Sequence, residues 1–256
     1  MTKCASLEFG QFGIRVNAVL PGFIITPMSA NVPNETREMF IKNIPLQRLG
    51  KPEEVAEVIY SAEHIALNMN VNDRNSVETA FKDVVKQFSK PPTIIVNSAG
   101  IHRRNLLIEV DDNAFDDVIN TNLKGTFLVM QTAVKMMLEG NASTNSSIIN
   151  ISSLAATHRD VGLSIYSASK AGLISMTKTA SLEFGQFGIR VNAVLPGFID
   201  TPMTAHISDE SREMLIKQIP LQRLGKPEDV AEVILFLASD KSSYVNGASI
   251  EVSGGL

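Results

Sequence analysis

The chain has 256 residues, 44% of them hydrophobic and 20% charged, with a net charge of −4 and one cysteine. That balance suits a folded core rather than a disordered chain, and a slightly acidic total gives no electrostatic reason to expect a nucleic-acid partner. Cys4 cannot form an internal disulfide, no apolar run reaches the roughly 18 residues a membrane helix requires, and no secretory apolar region opens the chain; the expected setting is soluble and intracellular.

Residues 1–60 match 176–235 at about 48 of 60 positions, and the letters QFGIRVNAVLPGFI stand at both 11–24 and 186–199. Solenoid repeats run at about 20–50 residues in three or more copies, so two distant copies read instead as a duplicated or spliced piece of one domain. From residue 64 onward short apolar strands alternate with amphipathic helices. HIALNMNV (64–71) predicts a strand. NSVETAFKDVVKQF predicts a helix opened by a capping box at Asn75 and Glu78, with Val77, Phe81, Val84, Val85 and Phe88 as its apolar stripe. PPTIIVNSAG places a buried strand after two prolines, and residues 111–140 predict a long, broken helix. SSIINISS is a near-continuous apolar strand, 165–185 a helix and IRVNAVL (189–195) a strand, followed by a long loop with helical pieces. KPEDVAEVILFLAS (226–239) is a helix with proline near its start, and ASIEVSGG closes as a strand. This alternation predicts an α/β fold with a parallel sheet covered on both faces, in one domain spanning 1–256.

The chemistry concentrates in SSLAATHRDVGLSIYSASK. Tyr166 and Lys170 lie four apart on a predicted helix and share a face. A charged Lys170 near the phenol favours the phenolate and is expected to lower the Tyr166 pKa from about 10, so that the tyrosine exchanges a proton with a carbonyl or alcohol near neutral pH. Ser153, at the end of the preceding strand, can hydrogen-bond the same oxygen. His102, His158 and His206 fall in loops near the predicted cleft mouth, where solvated side chains are expected, and show no metal-ligand spacing.

NSAG (97–100), NTNLKGTFLV, SIINISS, YSASKAG, IRVNAVLPGFIDTPM, LGKPEDVAEVILFLAS and GASIEVSGG stand in one order over residues 64–256. With these motifs the chain resembles the short-chain dehydrogenase/reductase family, of the 3-oxoacyl-(acyl-carrier-protein) reductase type and the 17-beta-hydroxysteroid dehydrogenase type 8 group. The resemblance implies a Rossmann-like doubly wound sheet and NAD or NADP as cofactor. It implies a tetrad of Asn122, Ser153, Tyr166 and Lys170: Tyr166 as acid/base, Ser153 polarising the carbonyl, Lys170 tuning Tyr166 and holding the nicotinamide ribose, Asn122 keeping a helix kink and a water. Asn97, Ala99 and Gly100 would lie beside the adenosine ribose, and Pro196, Gly197, Ile199 and Thr201 would wrap the nicotinamide end. Asn70 and Val71 align with an Asp–Val pair that reads the adenine amine; Asn70 keeps a carbonyl acceptor without the charge. The implied substrate is a small carbonyl or alcohol, a 3-oxoacyl thioester or hydroxysteroid-like compound. Homo- or hetero-oligomers through the helices carrying Asn122 and Tyr166, and a mitochondrial matrix location, are also implied, although residues 1–16 show no targeting segment and Glu8 argues against one.

The family pattern opens with a strand, a turn of the form T-G-x-x-x-G-x-G and a helix, whose N–H groups hold the cofactor pyrophosphate. None of the 16 glycines falls at that spacing, and the repeated segment stands where the turn belongs. The sheet is therefore expected to be incomplete or altered at its N-terminal strands, with Ile14–Leu20 taking the first-strand position. Two other readings stand beside the oxidoreductase: a catalytically impaired partner subunit, or a product of joined gene copies.

Overall fold

The computed structural model describes residues 65–158, 160–201, 204 and 207–256. The repeated segment 1–60, with Ile14–Leu20, lies outside them, as does His206. Asn68–Leu256 belong to one compact unit. Its elements in chain order are α1 (Arg74–Phe88), β1 (Ile94–Asn97), α2 (Asp112–Ile119), a π-helical turn (Asn120–Gly125), α3 (Thr126–Glu139), β2 (Ser146–Ile151), α4 (Ser164–Gly185), β3 (Ile189–Pro196), α5 (Asp209–Gln218), α6 (Pro227–Ala238) and β4 (Ser249–Val252). All strand pairings are parallel, in the order β1-β2-β3-β4.

The apolar runs become strands because both sheet faces are covered. Side chains alternate along β2. Ile148 joins a core with Leu128, Val129, Met137 and Ala180 of α3 and α4. Ser147 points the other way and donates to the Leu237 carbonyl of α6 at 2.7 Å. A polar chain crosses the α3/α4 side: Asn97 donates to Asn150 at 2.8 Å, and Asn150 donates to Thr177 at 2.9 Å. All three are buried. Replacing Asn150 with alanine strands the Asn97 amide without its acceptor, and a loss of about 2–3 kcal/mol is expected in urea denaturation.

Two local expectations are corrected. Residues 65–70 form no strand. Their end is drawn into a turn, where Asn70 Oδ1 accepts from the Asn72 N–H at 3.0 Å and the Asn70 N–H donates to Ser76 Oγ at 2.9 Å. The cap of α1 is Asp73, whose side chain accepts from the Asn75 N–H, two residues before the expected capping box. The stripe is buried at Val77 and Phe81, while Phe88 at the helix end is 37% exposed.

The break expected in 111–140 is the π-helical turn, which lets one hydrophobic helix change direction while remaining continuous. Among the described residues, every one buried in 176–235, from Thr177 through Ile189, Val194 and Ile219 to Ile234, is identical at the matching position of 1–60. The differences, such as Asp200 against Ile25 and Ser208 against Pro33, are exposed or half-buried wherever they are described. In β3 that sequence is a strand seated between two neighbours, β2 and β4.

Candidate active site

The candidate residues gather where β1, β2 and β3 end. Ser153 leaves β2 in extended conformation, its hydroxyl accepting from the Ala155 N–H at 3.2 Å. On the first turn of α4, Tyr166 brings its phenol to the Ser153 side chain. One turn on, Lys170 is 5% exposed; its Nζ donates to the Ile151 carbonyl at 2.8 Å and lies 5.8 Å from the Tyr166 ring centroid. Ser152, beside Ser153, donates to the Lys170 carbonyl at 2.9 Å and locks the strand end to the helix.

Asn122 is fully buried within the π-helical turn. Its Oδ1 accepts from the Ile101 N–H at 2.8 Å, and its amide donates to the Ile101 carbonyl at 2.9 Å and to Ser169 Oγ at 3.1 Å. Ser169 in turn donates to the Tyr166 carbonyl at 2.7 Å. One amide thus links the segment after β1 to the helix of Tyr166. Gly100 completes the group: a Cβ there would lie 3.3 Å from both Asn122 Oδ1 and Lys170 Nζ, so a larger residue would crowd both side chains.

The electrostatics differ from the expectation for Tyr166. Burial raises its phenol above the ordinary value of 10, a rise that the Ser153 side chain only partly offsets. At neutral pH the phenol is therefore the protonated, proton-donating form. Burial also lowers Lys170 from 10.5 to about 8. A lysine whose folded value lies below its unfolded one carries fewer protons when folded, so the contribution of Lys170 to stability rises with pH between about 8 and 10.5 and is lowest below 8. Lys170→Met should remove roughly 2–3 kcal/mol of that rise, which urea midpoints of both proteins across the same pH range measure.

The other predicted residues are placed as follows. Asn97 closes β1 and is spent on Asn150; Ala99 is exposed. Pro196 ends β3, and the loop after it is pinned by the Gly197 N–H on the Val252 carbonyl at 3.0 Å and by pairing of Ile199 with Gly225. Thr201 donates its N–H to Thr204 Oγ1 at 3.0 Å. Val71 packs under the π-helical turn, where a Cβ on Gly125 would come within 2.8 Å of it. Asn70 Oδ1, expected to face an adenine amine, accepts from its own turn. His158 is exposed, as expected, whereas His102 packs edge-on against Tyr166, with ring centroids 5.3 Å apart. No signal in the sequence pointed to that contact, because it is made by a loop residue.

An implied dinucleotide meets this surface in two unequal halves. Gly100, where a Cβ would lie 3.3 Å from Lys170 Nζ, keeps the backbone clear of an ammonium donor suited to a sugar hydroxyl, so the residues present fit the nicotinamide–ribose half. The pyrophosphate half does not: the sequence lacks T-G-x-x-x-G-x-G, and among the described residues no strand enters a helix through a glycine-rich turn. Groups of three or more His, Cys, Asp or Glu able to hold a metal are absent among the described residues, and no described helix is long and apolar enough to cross a membrane.

A family model described as enoyl-(acyl carrier protein) reductase matches residues 1–62 and again 60–256. The chain is 47% identical over 188 residues to the 3-oxoacyl-(acyl-carrier-protein) reductase FabG of Thermotoga maritima, covering 73% of this chain and 75% of that one. It is 44% identical over 194 residues to the mouse (3R)-3-hydroxyacyl-CoA dehydrogenase, covering 76% and 74%. The crystal structure of a 3-oxoacyl-(acyl-carrier protein) reductase from Brucella melitensis superposes with a TM-score of 0.72 at 31% identity, covering 80% of this chain and 77% of that one.

Proposed function

The chain belongs to the short-chain dehydrogenase/reductase family, and from that premise we propose that it reduces a 3-oxoacyl thioester, with Tyr166 as the proton donor and a dinucleotide held only at its nicotinamide–ribose end. The observation that carries this reading is the half-buried Tyr166, its phenol facing the Ser153 side chain and its ring one helical turn from Lys170. The substrate class follows from the named relatives, which act on 3-oxoacyl and 3-hydroxyacyl thioesters.

NAD(P)H, when bound, supplies the hydride. Ser153 donates to the substrate carbonyl oxygen and orients it. As that oxygen gains negative charge, Tyr166 transfers its phenolic proton to it, and the carbonyl becomes an alcohol. Charged Lys170 stabilises the phenolate that remains. Asn122 holds Ile101 and Ser169, and through Ser169 the start of the tyrosine helix. Ser153, Tyr166 and Lys170 act on the reacting atoms; Asn122 positions them. Gly100, with the turns at Pro196–Gly197 and Ile199–Thr201, is the part of the surface left to grip the cofactor. The deciding assay is thioester-dependent NADPH oxidation by the full chain against Tyr166→Phe.

A second reading, a partner subunit in a mixed oligomer, is favoured by one feature. The helices carrying Asn122 and Tyr166 leave an open groove of about 390 Å³ between them, its floor Phe127, Met130, Val134, Met176, Ala180 and Phe184 and its edge Gln131, Lys135, Thr179 and Glu183. That face suits helix packing against another reductase chain. In that reading the chain is not itself catalytic and supports a partner whose own site holds the cofactor.

A further inference from the structure

We propose that His102 is a positioning residue for Tyr166, held in place by the segment 101–105; the proposal rests on Tyr166 being the proton donor. The segment is tied to both sides of the cleft. On one side, Asn122 brackets the N–H and carbonyl of Ile101, and Arg103 pairs with Asp117 of α2 at 2.8 Å. On the other, Arg104 pairs with Asp160 at 2.9 Å, and the Asn105 N–H donates to the Gly162 carbonyl at 3.0 Å. Asp160 and Gly162 stand in the loop that leads directly into α4 and Tyr166. Gly162 has φ +83°, and a Cβ there would lie 3.0 Å from Arg104 Cγ, so the crossing requires glycine.

His102 sits between these ties, and its ring meets that of Tyr166 with centroids 5.3 Å apart and planes at 80°. Edge-to-face pairs at this separation attract beyond their buried area. Each exposed ion pair alone is weak. Together with the buried Asn122 bracket and the backbone bond, they fix the backbone on both sides of one imidazole. The imidazole covers part of the Tyr166 ring and sets its plane, while Ser153 and Lys170 address the phenol from β2 and α4. Proton transfer is sensitive to displacements of this kind: a shift of about 1 Å reduces rate by roughly a hundredfold.

The chain has three tyrosines and no tryptophan. An ultraviolet tyrosinate titration of the full chain, with Tyr166→Phe subtracted, therefore reads Tyr166 without cofactor or turnover. In His102→Ala the ring gains water, and its titration should fall measurably toward the ordinary value. His102→Phe keeps a ring in place and should titrate as the wild type does. Arg104→Ala leaves every site side chain intact, loosens the segment and should shift Tyr166 in the same direction by less, which keeps the test open if His102→Ala does not fold. In the thioester assay His102→Ala should lower kcat by about 10–100-fold with KM little changed. A wild-type titration in His102→Ala or in Arg104→Ala overturns the proposal, as does His102→Phe shifting as far as alanine. A wild-type chain that reduces no thioester refutes the proposed reaction, and the titration still decides the role of His102.

Discussion

NADH and NADPH are each expected to bind this chain at least about a thousandfold more weakly than they bind through an intact glycine-rich turn, because two or three charge-assisted contacts of about 1.5–3 kcal/mol each are lost with it. Under the proposed reading Gly100 and Lys170 would hold the sugar beside the nicotinamide, while the sequence carries no T-G-x-x-x-G-x-G turn to present backbone N–H groups to the doubly charged pyrophosphate. Fluorescence titration of either nucleotide should therefore give a dissociation constant in the millimolar range, where an intact grip gives roughly micromolar values. Micromolar binding by the isolated chain would show that another part of the molecule holds the phosphates. If binding appears only after a partner reductase is added, the subunit reading gains the support.

Tyr166→Phe should reduce thioester-dependent NADPH oxidation by about 10²–10⁴-fold, measured with cofactor raised as far toward saturation as solubility allows. The substitution removes the only atom of Tyr166 able to give a proton and keeps the ring against His102. An unchanged urea midpoint would separate lost chemistry from lost fold. Retention of activity by the phenylalanine variant would mean that the proton comes from elsewhere and that Ser153, Tyr166 and Lys170 are a structural cluster.

Much of this arrangement was legible in the sequence, for identifiable reasons. β2 and β3 are buried on both faces, so their apolar runs had few other solutions, and Pro227 marked the start of α6. Tyr166 and Lys170 were readable because one helical turn separates them. Asn122 came only through resemblance: its bonds to Ile101 and Ser169 join residues far apart in the chain, and no local pattern encodes them. Residues 65–70 misled because alternating apolar letters outweighed the turn chemistry of Asn70, Asn72 and Asp73. Tyr166 was expected to be more acidic because charge was weighed and burial was not; in the folded chain burial is the larger cause. His102 was unreadable, since its position depends on aspartates at 117 and 160.

The single seat between β2 and β4 has a consequence for synthesis. Residues 14–21, identical in sequence to β3, leave the ribosome 175 positions earlier and are already available when β2 emerges. Closing the gap from Pro21 to Ser146 spans 125 residues, against 38 from Ile151 to Ile189, a difference of only about 1 kcal/mol in chain entropy. The nascent chain thus offers the β3 sequence twice to one seat, the early copy first and the better-tethered copy later.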